Sequence, residues 1–133
     1  MAHLRRVVVL AFVCLVSPPA AAFSNLFVFG DSIVDAGNTH DLAISFGVTD
    51  PTPAASGYFD GRFTNGLNPA DVLSLSITGA NSDNSLDGGT NYAFGGARAR
   101  NNGDLIPDLA AQVSQFSTAV AGAADPNALY TIN

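Results

Sequence analysis

The run Leu26 to Asn38, Leu-Phe-Val-Phe-Gly-Asp-Ser-Ile-Val-Asp-Ala-Gly-Asn, constrains the fold of this chain more than any other stretch. It predicts a short apolar strand, Leu26–Phe29, that stops at Gly30. Asp31 and Ser32 follow at a turn. Open parallel α/β sheets bind their ligands at the carboxyl ends of their strands. A serine at this point is therefore a candidate nucleophile.

Segments with strand and helix patterns alternate along the rest of the chain. After the first strand, residues 35–65 predict a long irregular region, because glycine and proline recur through it. The elements predicted beyond it are a helix from Asn68 to about 77, a strand over 91–94, a helix from about 107 to 122 and a strand over 128–132. This alternation predicts an α/β fold with a parallel sheet, and the elements amount to about half of a doubly wound domain.

The amino terminus has the pattern of a secretory signal peptide over residues 1–22. A positively charged start is followed by the apolar run Val7–Val16 and by small residues up to Ala22. Cleavage after Ala22 leaves residues 23–133 as one small domain. The expected location is therefore secreted, either periplasmic or extracellular, and no transmembrane segment is predicted because the apolar run is too short to span a bilayer.

Charge and cysteine content exclude several function classes. The chain carries a formal net charge of −6, with eleven aspartates and no lysine. That charge repels nucleic acids and anionic lipid surfaces, so no nucleic-acid partner is expected. A nucleotide site at the sheet edge is ranked last, because a P-loop requires a lysine. The single cysteine, Cys14, lies in the signal peptide, so residues 23–133 form no disulfide.

The second predicted strand also ends in glycine, at Gly95 and Gly96. Hydrolysis through a serine needs an exposed, activated hydroxyl and backbone N–H groups that face the developing oxyanion. A glycine after a strand offers an N–H group with no side chain in the way. Because the carboxyl ends of parallel strands lie at one sheet edge, Ser32 and Gly96 can be nucleophile and oxyanion donor.

Four segments in the expected order resemble the GDSL esterases and lipases, also called SGNH hydrolases. Phe29 to Asn38 resembles the family's first block, and Gly61-Arg-Phe-Thr-Asn-Gly66 resembles its Gly-Arg-Phe-Ser-Asn-Gly segment. Asn91-Tyr-Ala-Phe-Gly-Gly-Ala97 is similar to the second block, and Asp125-Pro-Asn-Ala-Leu-Tyr130 is similar to the approach to the third. The resemblance covers the whole of residues 23–133.

The resemblance implies a flavodoxin-like three-layer α/β/α fold and hydrolysis of carboxylic esters, small-molecule or lipid, without metal or cofactor. Ser32 is the implied nucleophile and also donates its backbone N–H group. Gly96 is the implied second oxyanion donor, with Gly95 as the alternative. Asp31, Gly30 and Gly95 are implied supporting residues.

The sequence departs from the family pattern in two blocks. Neither the Gly-x-Asn-Asp block, with its oxyanion asparagine, nor the Asp-x-x-His block, with the catalytic base, occurs in the 133 residues. We therefore expect an amino-terminal part of the fold that is inactive alone; the alternative is a non-catalytic fragment or binding remnant of the same fold. His40, the one histidine of residues 23–133, is expected in a solvated loop, and its alternative role is that of a substitute base.

Other side chains have a functional and a structural interpretation. Arg62 pairs with Asp31 or Asp60 beside the site, or else lies on the surface. An aromatic trio lines an acyl pocket or simply packs under a loop: Tyr58, Phe59 and Phe63. The second helix has an apolar face that is expected in the core: Leu109, Val113, Phe116 and Val120.

The stretch 83–88 matches the first half of a calcium loop, with Asp83, Ser85, Asp87 and Gly88 at the first, third, fifth and sixth positions. The twelfth position is Phe94, where a calcium loop has a bidentate glutamate. A polar surface loop is therefore the preferred interpretation, and no metal is expected.

Overall fold

The computed structural model describes residues 23–133, so the predicted signal peptide lies outside the described residues. The elements in chain order are strand β1 (Leu26–Phe29), helix α1 (Asn38–Ser45), helix α2 (Pro69–Thr78), helix α3 (Leu109–Ala119) and strand β2 (Leu129–Ile132). Short 3-10 turns occur at Ala54–Ser56 and Ser85–Asp87. None of the helices within residues 23–133 combines the length and the apolar character needed to cross a membrane.

Strand β1 lies at the centre of a small parallel sheet. On one side it pairs with β2, with Leu26 opposite Leu129 and Phe29 opposite Ile132. On its other side the extended segment 90–94 runs parallel to β1, joined by three backbone hydrogen bonds: Val28 N to Thr90 O (3.1 Å), Tyr92 N to Val28 O (2.7 Å) and Phe94 N to Gly30 O (3.2 Å). The spatial order of the three segments is therefore 90–94, β1, β2.

The strand predicted over 91–94 lies where expected but forms only bridges at Asn91, to Val28 and to Asn84. The ladder stops because the Gly30 N–H group donates to the side chain of Gln112 instead of to this segment. The outer edge of the segment pairs with a side chain, because Asn38 Nδ2 donates to the carbonyls of Asn91 and Ala93. The prediction of a strand here is therefore confirmed in its position, but a regular strand over 91–94 is wrong, because only Asn91 forms bridges.

Both faces of β1 are covered, as expected for a central strand of a parallel sheet. Side chains alternate along β1: Leu26 and Val28 pack under α2, and Phe27 and Phe29 pack under α3. On the α3 side, aromatic rings lie with centroids 5.0 to 5.8 Å apart: Phe27, Phe29, Tyr92, Phe116 and Tyr130. The predicted α/β class with a parallel sheet is confirmed for this part of the fold.

Helix α1 falls inside the region that we predicted to be irregular, and that prediction is wrong. Its N-cap is Gly37, which has no side chain to mark a helix start. The Asp35 carboxylate accepts the first N–H groups instead, from Gly37 and Asn38 at 2.8 Å and from Thr39 at 3.2 Å. His40 therefore lies on a helix and not in a loop.

The other two helices begin close to where the sequence predicted. Helix α2 has a capping box formed by Asn68 and Asp71, and it ends at Gly79 in the left-handed conformation. Helix α3 follows Asp108, but its predicted apolar face is wrong at Val113, which is 44% exposed. Gln112 is fully buried in its place because its amide pairs with the backbone at the end of β1.

Candidate functional site

Ser32 lies in a tight turn directly after β1. The Asp31 carbonyl accepts the N–H groups of Val34 (3.2 Å) and Asp35 (3.1 Å), and the Asp31 carboxylate accepts that of Ile33 (3.0 Å). Ser32 is half-buried, and neither its hydroxyl nor its N–H group has a hydrogen-bond partner within residues 23–133. Asp31 therefore shapes the turn, and both donors of Ser32 are available to a ligand.

The second turn, Phe94 to Ala97, is closed by a hydrogen bond from Ala97 N to Phe94 O at 3.0 Å. Gly96 has φ +88°, a left-handed conformation that favours glycine. The Gly95 N–H group is occupied, because it donates to Asp35 Oδ2 (2.8 Å) and to Thr39 Oγ1 (2.6 Å). Gly96 is exposed, and its N–H group has no partner in the described part of the chain. Of the two glycines, only Gly96 can offer its N–H group to a substrate.

The two turns lie at the same sheet edge because β1 and the segment 90–94 are adjacent and parallel. The end of β1 is fixed by Gln112, whose Oε1 accepts the Gly30 N–H group and whose Nε2 donates to the Gly30 carbonyl, both at 2.9 Å. Gly30 has φ +147°, and a Cβ there would lie 3.0 Å from Asn133 Cβ. Glycine is therefore required just before the Asp31–Ser32 turn.

A cavity of about 220 Å³ opens at this edge. Its lining includes Asp31, Ala97, Leu109 and Ile132, whereas Ser32 and Gly96, the sequence neighbours of Asp31 and Ala97, do not line it. It lies at the carboxyl ends of β1 and β2, because Gly30 and Asp31 after β1 line it together with Ile132 and Asn133 at the end of β2. Chain connections diverge at this point, and open α/β sheets place their ligands at such a crevice.

His40 does not lie at this cavity. Its Nδ1 contacts Asp50 Oδ1 (2.9 Å) and Thr52 Oγ1 (3.2 Å), and its ring lines a separate polar cavity of about 430 Å³ with Asp41 and Asp60. The pKa of Asp50 is lowered, chiefly by the Thr52 backbone N–H group and further by His40. The structure therefore pairs His40 with a carboxylate and does not bring it to the edge where Ser32 lies.

Arg62 is buried, and the expectation of a surface arginine or of a pair with Asp31 is wrong. Its guanidinium donates to both carboxylate oxygens of Asp71, at 2.7 and 2.8 Å, and to the Ser82 carbonyl at 3.0 Å. The expected pair with Asp60 is present at 3.3 Å. The hydrogen bond with Asp71 raises the pKa of Arg62 against the opposing effect of burial. Arg62 therefore joins the loop before α2 to the helix start.

The aromatic trio does not line the cavity beside Ser32. Tyr58 and Phe59 are exposed, and Phe59 lies under the Arg62 guanidinium at 5.6 Å from ring centroid to Cζ. Phe63 packs directly against Gly95, so that a Cβ on Gly95 would overlap its ring. The packing interpretation therefore fits these residues.

The stretch that resembles half a calcium loop forms a 3-10 turn held by its own side chains. Asn84 Oδ1 accepts the Asp87 N–H group at 3.0 Å, and Asn84 Nδ2 donates to Asp41 Oδ2 at 2.8 Å. Within residues 23–133, no three histidine, cysteine or acidic side chains are grouped so that they could hold a metal ion.

Sequence reasoning missed three residues that shape the site: Asp35, Thr39 and Gln112. The sequence does contain an indication of the role of Gln112. This glutamine lies three residues after Leu109 and four before Phe116, so it is a polar residue on an otherwise apolar helix face. Asp35 and Thr39 gave no comparable signal, because their partner Gly95 lies about sixty residues along the chain.

Known proteins resemble this chain over the same region. The pattern of the GDSL-like lipase/acylhydrolase family matches residues 26–133, and the chain belongs to this family. A GDSL esterase/lipase of Arabidopsis thaliana is 36% identical over 104 residues, covering 67% of this chain and 30% of the relative. A second protein of that plant, GDSL esterase/lipase 6, is 32% identical over 130 residues, covering 80% of this chain and 36% of the relative. The chain thus spans about a third of the length of these relatives.

Proposed function

We propose that this chain supplies the nucleophile and two oxyanion donors of an exported serine ester hydrolase. The observation that carries the proposal is a pair of donors at one sheet edge that have no partner within residues 23–133: the N–H groups of Ser32 and Gly96, with the Ser32 hydroxyl beside them. Membership of the GDSL-like lipase/acylhydrolase family supports it. The substrate class is a carboxylic ester, small-molecule or lipid, and no cofactor takes part.

In the proposed reaction, the Ser32 hydroxyl attacks the ester carbonyl carbon and its proton passes to a base. The carbonyl oxygen becomes negatively charged and is stabilised by the N–H groups of Ser32 and Gly96. When this intermediate collapses, the ester C–O bond breaks and the base returns its proton to the departing alcohol. An acyl group remains on Ser32. Water then attacks the acyl-serine, which releases the acid and restores the hydroxyl.

The base is the part of this reaction that residues 23–133 do not place at the edge, because His40 pairs with Asp50. In the family that this chain resembles, the base is the histidine of an Asp-x-x-His block, and we propose the same source for the whole protein. The fold proposed for the whole protein is likewise the flavodoxin-like three-layer fold of the family. Because the chain spans about a third of its relatives, the competing proposal is a binding remnant that hydrolyses nothing.

The test uses the complete gene product and p-nitrophenyl esters of short acids. We expect turnover that falls at least about a thousandfold in Ser32→Ala, because the nucleophile is lost. Ser45→Ala is the matched control, since Ser45 is an exposed serine on α1 that only bonds the Leu42 carbonyl. Gly96→Ala should lower kcat, because alanine disfavours the left-handed conformation that Gly96 adopts.

Labelling with a fluorophosphonate separates the two proposals. An active hydrolase forms a phosphonylated Ser32, seen by mass spectrometry, and Ser32→Ala forms none. Turnover that is the same in wild type and Ser32→Ala refutes the hydrolase proposal. Binding of an ester analogue without turnover or labelling supports the binding remnant.

We also propose export, with cleavage after Ala22. The support is the pattern of residues 1–22 in the sequence. Amino-terminal sequencing of the protein recovered outside the cytoplasm should start at Phe23. A protein that keeps Met1 and stays in the cytoplasm contradicts this proposal.

A further inference from the structure

Asp35 is a fully buried carboxylate at the end of the turn that contains Ser32. Its backbone N–H group donates to the Asp31 carbonyl at 3.1 Å and so closes that turn. Its Oδ1 accepts the N–H groups of Gly37 and Asn38, both at 2.8 Å. One residue therefore fixes the Ser32 turn to the start of α1.

The second oxygen of Asp35 reaches across to the other turn. Asp35 Oδ2 accepts the Gly95 N–H group at 2.8 Å, and Thr39 Oγ1 accepts the same group at 2.6 Å. Asp35 Oδ2 also accepts the Thr39 N–H group, at 3.2 Å, so the two acceptors are themselves linked. Gly95 is thereby attached to the loop that carries Ser32, although it lies about sixty residues away in sequence.

We propose that Asp35 and Thr39 are positioning residues that set the distance between the Ser32 turn and the Gly96 N–H group. The inference rests on the proposed function, because the two turns matter together only if one oxyanion meets both. Oxyanion donors act only when they are held in place before the reaction, and small displacements cost large factors in rate. Both side chains are buried and neither lines the cavity, so they act through Gly95 and not on the substrate.

The chemistry of the contacts explains why a carboxylate is needed at position 35. Its two oxygens accept four N–H groups: Oδ1 accepts those of Gly37 and Asn38, and Oδ2 accepts those of Thr39 and Gly95. An asparagine has the same shape but only one acceptor oxygen. The NH₂ group of the asparagine would replace one of these two oxygens and would face the two N–H donors that this oxygen accepts in Asp35. Asp35→Asn should therefore loosen one turn from the other.

The sharpest test compares two substitutions at Thr39 in the complete gene product. Thr39→Val keeps the shape and removes the oxygen that accepts the Gly95 N–H group, whereas Thr39→Ser keeps the oxygen. We expect kcat for p-nitrophenyl esters to fall about tenfold in Thr39→Val, the size of one lost hydrogen bond. KM should stay within about twofold, because substrate contacts are unchanged. Thr39→Ser should keep most of the wild-type kcat.

Asp35→Asn should lower kcat about a hundredfold, as expected for a misplaced donor turn. Asp41→Asn is the matched control, because Asp41 loses the same charge on α1 but contacts Asn84 and not Gly95. Thermal unfolding of each variant is measured in parallel. If Asp35→Asn does not fold, the comparison of Thr39→Val with Thr39→Ser tests the positioning role by itself.

The two proposals fail in different ways. Absence of turnover in wild type, or no effect of Ser32→Ala, overturns the proposed function and this inference with it. An active wild type in which folded Thr39→Val keeps its kcat overturns the positioning role alone. Equal losses in Thr39→Val and Thr39→Ser, or a change confined to KM, also overturn it, because the hydroxyl would then not be the cause.

Discussion

The buried ion pair between Arg62 and Asp71 gives the clearest stability prediction. The Arg62 side chain is 4% exposed and that of Asp71 is 0% exposed. The Asp71 carboxylate accepts two hydrogen bonds from Arg62 and one each from the N–H groups of Asn68 (2.9 Å) and Ser82 (3.1 Å). It therefore links the loop at 62, the start of α2 and the loop after α2.

Replacing Asp71 with asparagine keeps the shape and removes the charge. Arg62 is then left buried, with its remaining acidic partner, Asp60, 80% exposed at 3.3 Å. Removing one partner of a buried pair costs about 3–5 kcal/mol, because the other charge remains desolvated. We expect Asp71→Asn to lower the free energy of unfolding by that amount, a large fraction of the total for a small domain.

The assay is urea unfolding of the complete gene product, followed by circular dichroism. A loss of about 4 kcal/mol corresponds to a midpoint lower by about 2 M urea if the slope is about 2 kcal/mol per M. Asp60→Asn is the matched control, since it removes the exposed partner of the same arginine and should cost less than about 1 kcal/mol. The double variant Arg62→Met/Asp71→Asn should be more stable than the sum of its single changes predicts.

A cost below about 1 kcal/mol for Asp71→Asn, or an equal cost for Asp60→Asn, would refute the energetic coupling between buried Arg62 and Asp71. Strict additivity in the double variant would also refute it, because it would mean that the two side chains do not depend on each other.

Three further predictions concern packing and pH. Gly95→Ala should destabilise the protein by about 1–3 kcal/mol in urea unfolding, because its Cβ overlaps Phe63. Gln112→Leu should cost about 1–3 kcal/mol in the same assay, because it leaves a buried N–H group at the end of β1 without a partner. The Ser24 hydroxyl lowers the pKa of Asp125 below its ordinary value of 3.8. The Asp125 carboxylate therefore stabilises the fold above pH 3.8, and this contribution is lost as the pH falls through the lowered pKa. Asp125→Asn should make the melting temperature depend less on pH in the acid range.

Each of these has a control and a contradicting result. Gly66→Ala is the control, because a Cβ there meets no atom within 4 Å and Gly66 has no left-handed φ, so equal losses at Gly95 and Gly66 would contradict the overlap. Gln115→Leu makes the same change at an exposed position of α3 and should be nearly neutral. Ser24→Ala should flatten the acid profile less than Asp125→Asn does, because the Asn127 N–H group still lowers the pKa of Asp125, and a profile parallel to wild type would contradict the assigned cause.

Local sequence signals predicted the elements whose causes are local. The cap of α2 could be read directly, because Asn68, Pro69 and Asp71 stand next to one another. Strand β1 is a short apolar run, and its side chains pack alternately against α2 on one face and α3 on the other. Helix α1 could not be predicted in this way, since Gly37 carries no capping side chain and Asp35 supplies the acceptor from outside the usual position.

The family, the place of Ser32 after a strand and the two candidate glycines could all be inferred from the sequence. The sequence ranks Gly96 ahead of Gly95 as the oxyanion donor, but it does not show which of the two N–H groups the rest of the protein occupies. The fold answers this question: Asp35 and Thr39 occupy the Gly95 N–H group, whereas that of Gly96 has no partner within residues 23–133. It also buried Arg62 against Asp71 and turned His40 toward Asp50. Such pairings depend on distances between chain segments, which spacing along one sequence does not fix.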